Sequence, residues 1–183
     1  MSTNPDRSKV LKELARTLDV NVTLETFPDI DPQELSGILL EASAAVKRAG
    51  TRSVIMIDGA SRGNPGPAAA GVVLDHPAVK RGEYIGKATN NVAEYRALIL
   101  GLELAAEMAL AEIEIKSDSE LLVRQMTGQY RVKNPALKEL FNTAQKAAAR
   151  LASVSYRHIP REENVEADRI ANMALDAKGK IDL

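Results

Sequence analysis

Cysteine is absent from this 183-residue chain, which excludes disulfides, thiolate zinc sites and a cysteine nucleophile. Tryptophan is absent as well, and aromatic residues make up 3% of the sequence. That is too few rings for a surface that reads single strands mainly by base stacking. The two histidines, His76 and His158, argue against a zinc site built on imidazoles. No run of about 18 apolar residues occurs, so no transmembrane helix is expected. The polar stretch Met1–Lys9 lacks the apolar core of a secretion signal, and a cytoplasmic location is the expectation. A strong charge of one sign is also missing. Residues 1–50 hold 6 basic and 8 acidic residues, a net of -2, and residues 51–183 hold 18 and 17, a net of +1. Any nucleic-acid surface must therefore rest on a few placed cations.

What is present describes a globular chain of 19.8 kDa, with 45% hydrophobic and 27% charged residues. That size suits one domain with a small appendage. Residues 1–50 carry two helical patterns. Val10, Leu11, Leu14, Ala15 and Leu18 form one stripe, and Leu35, Ile38, Leu39, Ala42 and Val46 form a second from Pro32 to Arg48. Asp31-Pro32 is a helix start, Gly50 a stop, and Phe27-Pro28-Asp29 a turn. This segment has no chemical constellation; it is a candidate substrate-binding or dimerising module.

From Thr51 the pattern changes to strands: Val54–Ile57, Ala68–Leu74 and Gly82–Lys87 as a meander, then Ile113–Lys116 and Ala152–Ile159. Helices are expected from Thr89 to Met108, Glu120 to Met126, Pro135 to Leu151 and Val165 to Ala177, with the tail from Lys178 frayed. Four acids fall at the joints. Asp58 and Asp118 end apolar strands, while Glu94 and Asp168 lie on the apolar stripes of helices near their starts. Like charges about 4 Å apart repel by roughly 1–4 kcal/mol. Convergence of these acids would therefore require protons or cations. Oxygen ligands without cysteine or histidine favour Mg2+ or Mn2+.

The motifs are Ile57-Asp58-Gly59-Ala60-Ser61 with Gly63-Asn64-Pro65-Gly66, Thr89-Asn90-Asn91 with Ala93-Glu94, Ser117-Asp118-Ser119, Val132-Lys133-Asn134, and Glu163-Asn164 with Ala167-Asp168. In this order the stretch from Arg52 to Ala177 resembles the ribonuclease H type 1 family. The resemblance implies an α/β fold: a five-stranded mixed sheet flanked by helices, its first three strands antiparallel and its first, fourth and fifth parallel. It implies a catalytic domain over residues 51–183, behind a helical extension, residues 1–50, that does not resemble the family's hybrid-binding module. The implied reaction is hydrolysis of the RNA strand of RNA–DNA hybrids with two Mg2+ ions (Mn2+ as substitute), giving 5′-phosphate and 3′-hydroxyl ends. Asp58, Glu94, Asp118 and Asp168 would be the catalytic and metal-binding acids.

Hybrid recognition requires reading 2′-hydroxyls in a shallow groove. By resemblance, Asn64, Asn90, Asn91 and Asn134 are the candidates, although turn formation and capping also suit these residues. Arg62, Arg131, Lys133 and Arg161 are candidate phosphate contacts. The loop before Asp168 is short and lacks the histidine that many relatives carry there. Either His158 or Arg161 is the candidate to assist proton transfer or product release. The basic, tryptophan-bearing protrusion of some members is missing between Met126 and Asn134. Two alternatives accompany this reading: a nuclease of the same fold acting on double-stranded RNA or branched DNA, and an inactive nucleic-acid tether. Residues 1–50 are a candidate surface for a homodimer or a protein partner.

Overall fold

The computed structural model describes residues 10, 11, 13, 14, 17, 19–49 and 52–183. The chain divides into two compact units at Gly50 and Thr51. In the first, Val10, Leu11, Glu13, Leu14 and Thr17 are helical, while Ala15, Leu18 and the Gly50 stop signal lie outside the described residues. Helix α1 (Val20–Thr26), which the apolar pattern did not reveal, starts at Asp19, whose carboxylate accepts from the Asn21 and Val22 amides. Helix α2 (Pro32–Ala49) starts where Asp31-Pro32 predicts. Asp31 Oδ1 accepts from the Gln33 and Glu34 amides at 2.7 and 2.8 Å, and Glu34 accepts from the Asp31 amide at 3.2 Å, a reciprocal capping box. Val10, Ile30, Leu35 and Ile38 bury one another, and Leu24 and Phe27 pack against them.

The second unit is one mixed sheet with helices on both faces. Its strands are β1 (Ser53–Ser61), β2 (Gly66–Leu74), β3 (Val79–Ala88), β4 (Glu112–Ser117), β5 (Ser153–His158) and β6 (Lys180–Asp182), in the spatial order β5-β4-β1-β2-β3-β6. The strands β1, β2 and β3 form an antiparallel meander, and β4 pairs in parallel with both β1 and β5. The sheet therefore has six strands where five were expected. The frayed tail is instead an edge strand, with Ile181 opposite Gly82 on β3.

Side chains alternate across the sheet. Ile55, Ile57, Val72, Ile113 and Ile115 face helix α3 (Asn90–Glu107), whose Tyr95, Leu98, Leu102 and Leu104 complete the main core. Full burial of each such aliphatic side chain contributes roughly 1.5–3 kcal/mol. Helix α4 (Glu120–Met126) and helix α5 (Pro135–Ala148) add Leu122 and Leu137 to it. On the opposite face Met56 and Val73 pack against Ala167 and Ile170 of helix α6 (Val165–Ala177). There α6 presses onto bare backbone: a Cβ on Gly71 would lie 2.4 Å from the Ala167 carbonyl oxygen. Among the described residues no helix is long and apolar enough to cross a membrane.

Candidate active site

Asp58 does not end β1. The strand runs on to Ser61, because Asp58–Ser61 keep pairing with Gly71–Ala68 of β2 after the β4 pairing has stopped at Met56 opposite Lys116. Asp58 thus lies two residues past the last β1–β4 pair, and Asp118 lies two residues past it on the other side. The two strands part there, leaving a cleft at their carboxyl ends.

Helix α3 brings Glu94 to the same cleft. Thr89 caps the helix, its Oγ1 accepting from the Val92 amide at 3.4 Å. The helix then comes so close to β1 that a Cβ on Gly59 would lie 2.2 Å from the Glu94 nitrogen. Only glycine permits that approach. Asp118 follows β4 and precedes Ser119, whose hydroxyl caps α4 by accepting from the Leu122 amide. One carboxylate oxygen from each of Asp58, Glu94 and Asp118 lies within 4.8 Å of the other two.

Asp168, in the first turn of α6, stands outside that trio but on the wall of the same cavity of about 330 Å³. Its Oδ1 accepts from Arg161 at 3.4 Å and its Oδ2 from the Asn172 amide at 3.1 Å.

The cluster is electrostatically loaded. Asp58 is 6% exposed and Glu94 5%. Burial, then the charges of Asp118 and Asp168, push the Asp58 carboxyl up to about 7, against an opposing pull from Arg161. Burial, then Asp58 and Asp118, raise Glu94 well above the ordinary carboxylate range, despite hydrogen bonds from the Gly59 backbone and the Asn90 amide. Glu94 Oε2 is buried with no hydrogen-bond partner among the described residues. Three converging carboxylates, one of them with an orphaned oxygen, fit a divalent cation such as Mg2+ or Mn2+.

The expected substrate-reading residues fall into two groups. Asn90 and Arg161 line the cavity. Asn64 is one step removed: its Oδ1 accepts from the Asn90 amide nitrogen at 3.2 Å, and the Asn90 side chain donates to Glu94 Oε1 at 3.4 Å. The others stand apart. Asn91 is exposed in the first turn of α3, and Asn134 caps α5, accepting from the Leu137 amide at 3.2 Å. His158 is exposed at the end of β5, opposite Ser117, and is not among the cavity-lining residues, whereas Arg161 is. Arg62 also lines the cavity, in an ion pair with Asp176 of α6.

Two roles escaped the sequence reading, that of Asn172 and that of Asn164, which figures there only as part of a motif. Asn172 sits one helical turn beyond Asp168, a spacing that could have revealed it. Asn164 is wholly buried, and its amide donates to the Ile57 carbonyl at 2.9 Å and to Asp118 Oδ1 at 3.2 Å. No local pattern signals those contacts.

Comparison with known proteins points the same way. The Reverse transcriptase-like family model matches residues 56–174. The chain is 47% identical over 129 residues to the bifunctional protein Rv2228c of Mycobacterium tuberculosis, a match covering 68% of this chain and 35% of that protein. It therefore spans about a third of the length of that curated relative. The solved N-terminal RNase H domain of Rv2228c superposes with a TM-score of 0.67 at 46% identity, covering 70% of this chain and 96% of that one. Ribonuclease HI of Halobacterium salinarum is 45% identical over 131 residues, covering 69% of this chain and 66% of the relative. A second solved structure, LC11-RNase H1 in complex with an RNA/DNA hybrid, has a TM-score of 0.66 at 42% identity, covering 69% of this chain and 99% of that chain.

Proposed function

Since this chain belongs to the ribonuclease H family, we propose that residues 51–183 are a catalytic domain that hydrolyses the RNA strand of RNA–DNA hybrids. The observation that carries the reading is the trio of Asp58, Glu94 and Asp118, within 4.8 Å of one another, with Glu94 Oε2 buried and unpartnered. The relative solved with an RNA/DNA hybrid supports the choice of substrate.

Asp58, Glu94 and Asp118 would hold one divalent ion, Mg2+ or its substitute Mn2+, and Asp168 with Asp58 would hold a second. Such ions, when bound, would supply an acidified water and neutralise charge on the leaving oxygen. The chain's own residues do the rest. Asp58 and Glu94 must be ionised to act as ligands, and their burial against each other makes the empty site costly and the loaded one favourable. Arg161 holds Asp168 toward the cavity and offers a cation to the scissile phosphate. Asn90 fixes Glu94 and is itself fixed by Asn64, so the β1–β2 loop and the first turn of α3 form one polar edge. That edge, with Asn91 and Asn134, reads 2′-hydroxyls. Water adds to phosphorus and the bond to the 3′-oxygen breaks, leaving 5′-phosphate and 3′-hydroxyl ends. The separate helical unit of residues 1–50 is left to pair with a second copy or a protein partner; its net of -2 disfavours phosphate contacts.

The test incubates the full chain with labelled RNA–DNA hybrid, double-stranded RNA, branched DNA and duplex DNA, each with Mg2+ or with chelator. Metal-dependent cutting of the hybrid's RNA strand alone, with 5′-phosphate products, is expected. Preferential cutting of another substrate replaces the substrate assignment, and binding without cutting leaves only a tether.

A further inference from the structure

Asn164 is the one fully buried side-chain amide in the catalytic unit among the described residues, and it sits where β1 and β4 part. The last ladder pair is Met56 opposite Lys116. Beyond it the Ile57 carbonyl has no β4 amide to accept from, and Asp118 has left the sheet. The Asn164 side chain enters this gap. One hydrogen bond goes to the Ile57 carbonyl at 2.9 Å, the other to Asp118 Oδ1 at 3.2 Å. Both partners are pure acceptors, which fixes the amide orientation with its nitrogen toward them. The Asn164 backbone carbonyl in turn accepts from the Asp168 amide at 3.1 Å. A single residue therefore contacts Asp118 directly, the peptide preceding Asp58, and the backbone of Asp168.

The amide oxygen is the informative atom. Asn164 Oδ1 is buried and has no hydrogen-bond partner among the described residues. An unsatisfied buried acceptor is destabilising. A residue chosen for stability alone would not carry one, whereas a residue needed for its two donated hydrogen bonds would.

We propose that Asn164 is a positioning residue of the metal centre. It substitutes for the missing β1–β4 ladder bonds and holds Asp118 at the spacing from Asp58 that a divalent ion requires. This rests on reading the acid cluster as a metal site. Groups that orient ligands from behind typically govern metal affinity by about 10–100-fold.

The test measures Mg2+ and Mn2+ affinity of the full chain by titration calorimetry without substrate, for the unmodified protein and for Asn164→Ala and Asn164→Ser. Circular dichroism checks the fold. The expected result is a loss of metal affinity of about 10–100-fold in folded variants. On hybrid, kcat should recover at high metal concentration and KM should stay unchanged. Affinity within twofold of the unmodified protein in a folded variant overturns the proposal and leaves the metal site standing. Absence of saturable metal binding in the unmodified protein overturns both. If neither variant folds, the side-chain amide signals of Asn164 in the unmodified protein decide by nuclear magnetic resonance. They should exchange slowly and move with Mg2+ saturation, while those of Asn142 on the α5 surface stay fixed. Asn164 signals that ignore saturating Mg2+ overturn the proposal.

Discussion

Gly59 on β1 and Glu94 on α3 touch backbone to backbone: a Cβ on Gly59 would stand 2.2 Å from the Glu94 nitrogen and 2.4 Å from the Ala93 carbonyl carbon. Neither neighbour is a flexible side chain, so the clash has no rotamer to relieve it. Gly59→Ala should push α3 off the strand, carry Glu94 away from Asp58, and destabilise the domain by about 3 kcal/mol. Urea unfolding with a companion cleavage assay reads both effects. Unchanged stability would mean that the helix is not seated as described.

Asp58→Asn separates function from stability. Cleavage should vanish, because a ligand carboxylate is gone. The metal-free protein should become more stable at pH 8, by on the order of 2 kcal/mol, since a buried charge facing two others has been removed. Thermal melts in chelator at pH 8 and pH 5 test this, and the gain should shrink at the lower pH.

The same carboxyl sets the pH dependence of the unmodified protein. Its folded value of about 7 lies above the ordinary 3.8. The stability it contributes is fully present below 3.8 and is lost as pH rises through about 7. Without metal, melting temperature should therefore fall between pH 4 and pH 7. Metal binding needs the ionised form, so Mg2+ affinity should rise over the upper part of this range, and saturating Mg2+ should flatten the stability loss. A flat metal-free profile would contradict the burial and charge assigned to Asp58.

Arg161 and His158 should behave differently. Arg161 lines the cavity and lowers the Asp58 pKa. Arg161→Ala should reduce kcat/KM by about 10-fold at pH 7 and move the acidic limb of the pH–rate profile upward. His158→Ala should stay within about twofold, since that ring is exposed at the end of β5 and off the cavity wall. The reverse order would return the auxiliary role to His158.

Removal of residues 1–50 should leave a folded, active remainder. The two units are compact in themselves, and the family model matches within residues 56–174. Light scattering and hybrid-binding titrations on residues 51–183 distinguish a lost dimer from a lost substrate contact.

Much of the site was legible because its signals are local. Thr89, Ser119 and Asn134 cap the helices that their sequence positions announce, and Glu94 lies on the apolar stripe that places it inside. The misreadings share a cause in distant pairing. Gly59-Ala60-Ser61 has the composition of a loop, yet Ala68–Ala70 across the hairpin hold it in the strand. Lys180-Ile181-Asp182 has no strand signal of its own and gains one from β3, about 100 residues earlier in the chain. Asn164 meets Ile57 and Asp118 at separations of 107 and 46 residues. Periodicity cannot register contacts of that range.

The four acids enter from β1, α3, the turn after β4 and α6, so the chain must be followed from Asp58 to Asp168 before the set is complete. No hairpin or helix pair formed early in folding contains more than a fragment of it. Repulsion among Asp58, Glu94 and Asp118 therefore arises only where β1, α3 and β4 meet, and Asp168 adds to it only with α6 in place. Binding of a divalent ion to all four acids would accordingly report on the finished topology, because without α6 the cluster lacks Asp168, and such an ion would link parts of the fold distant in sequence.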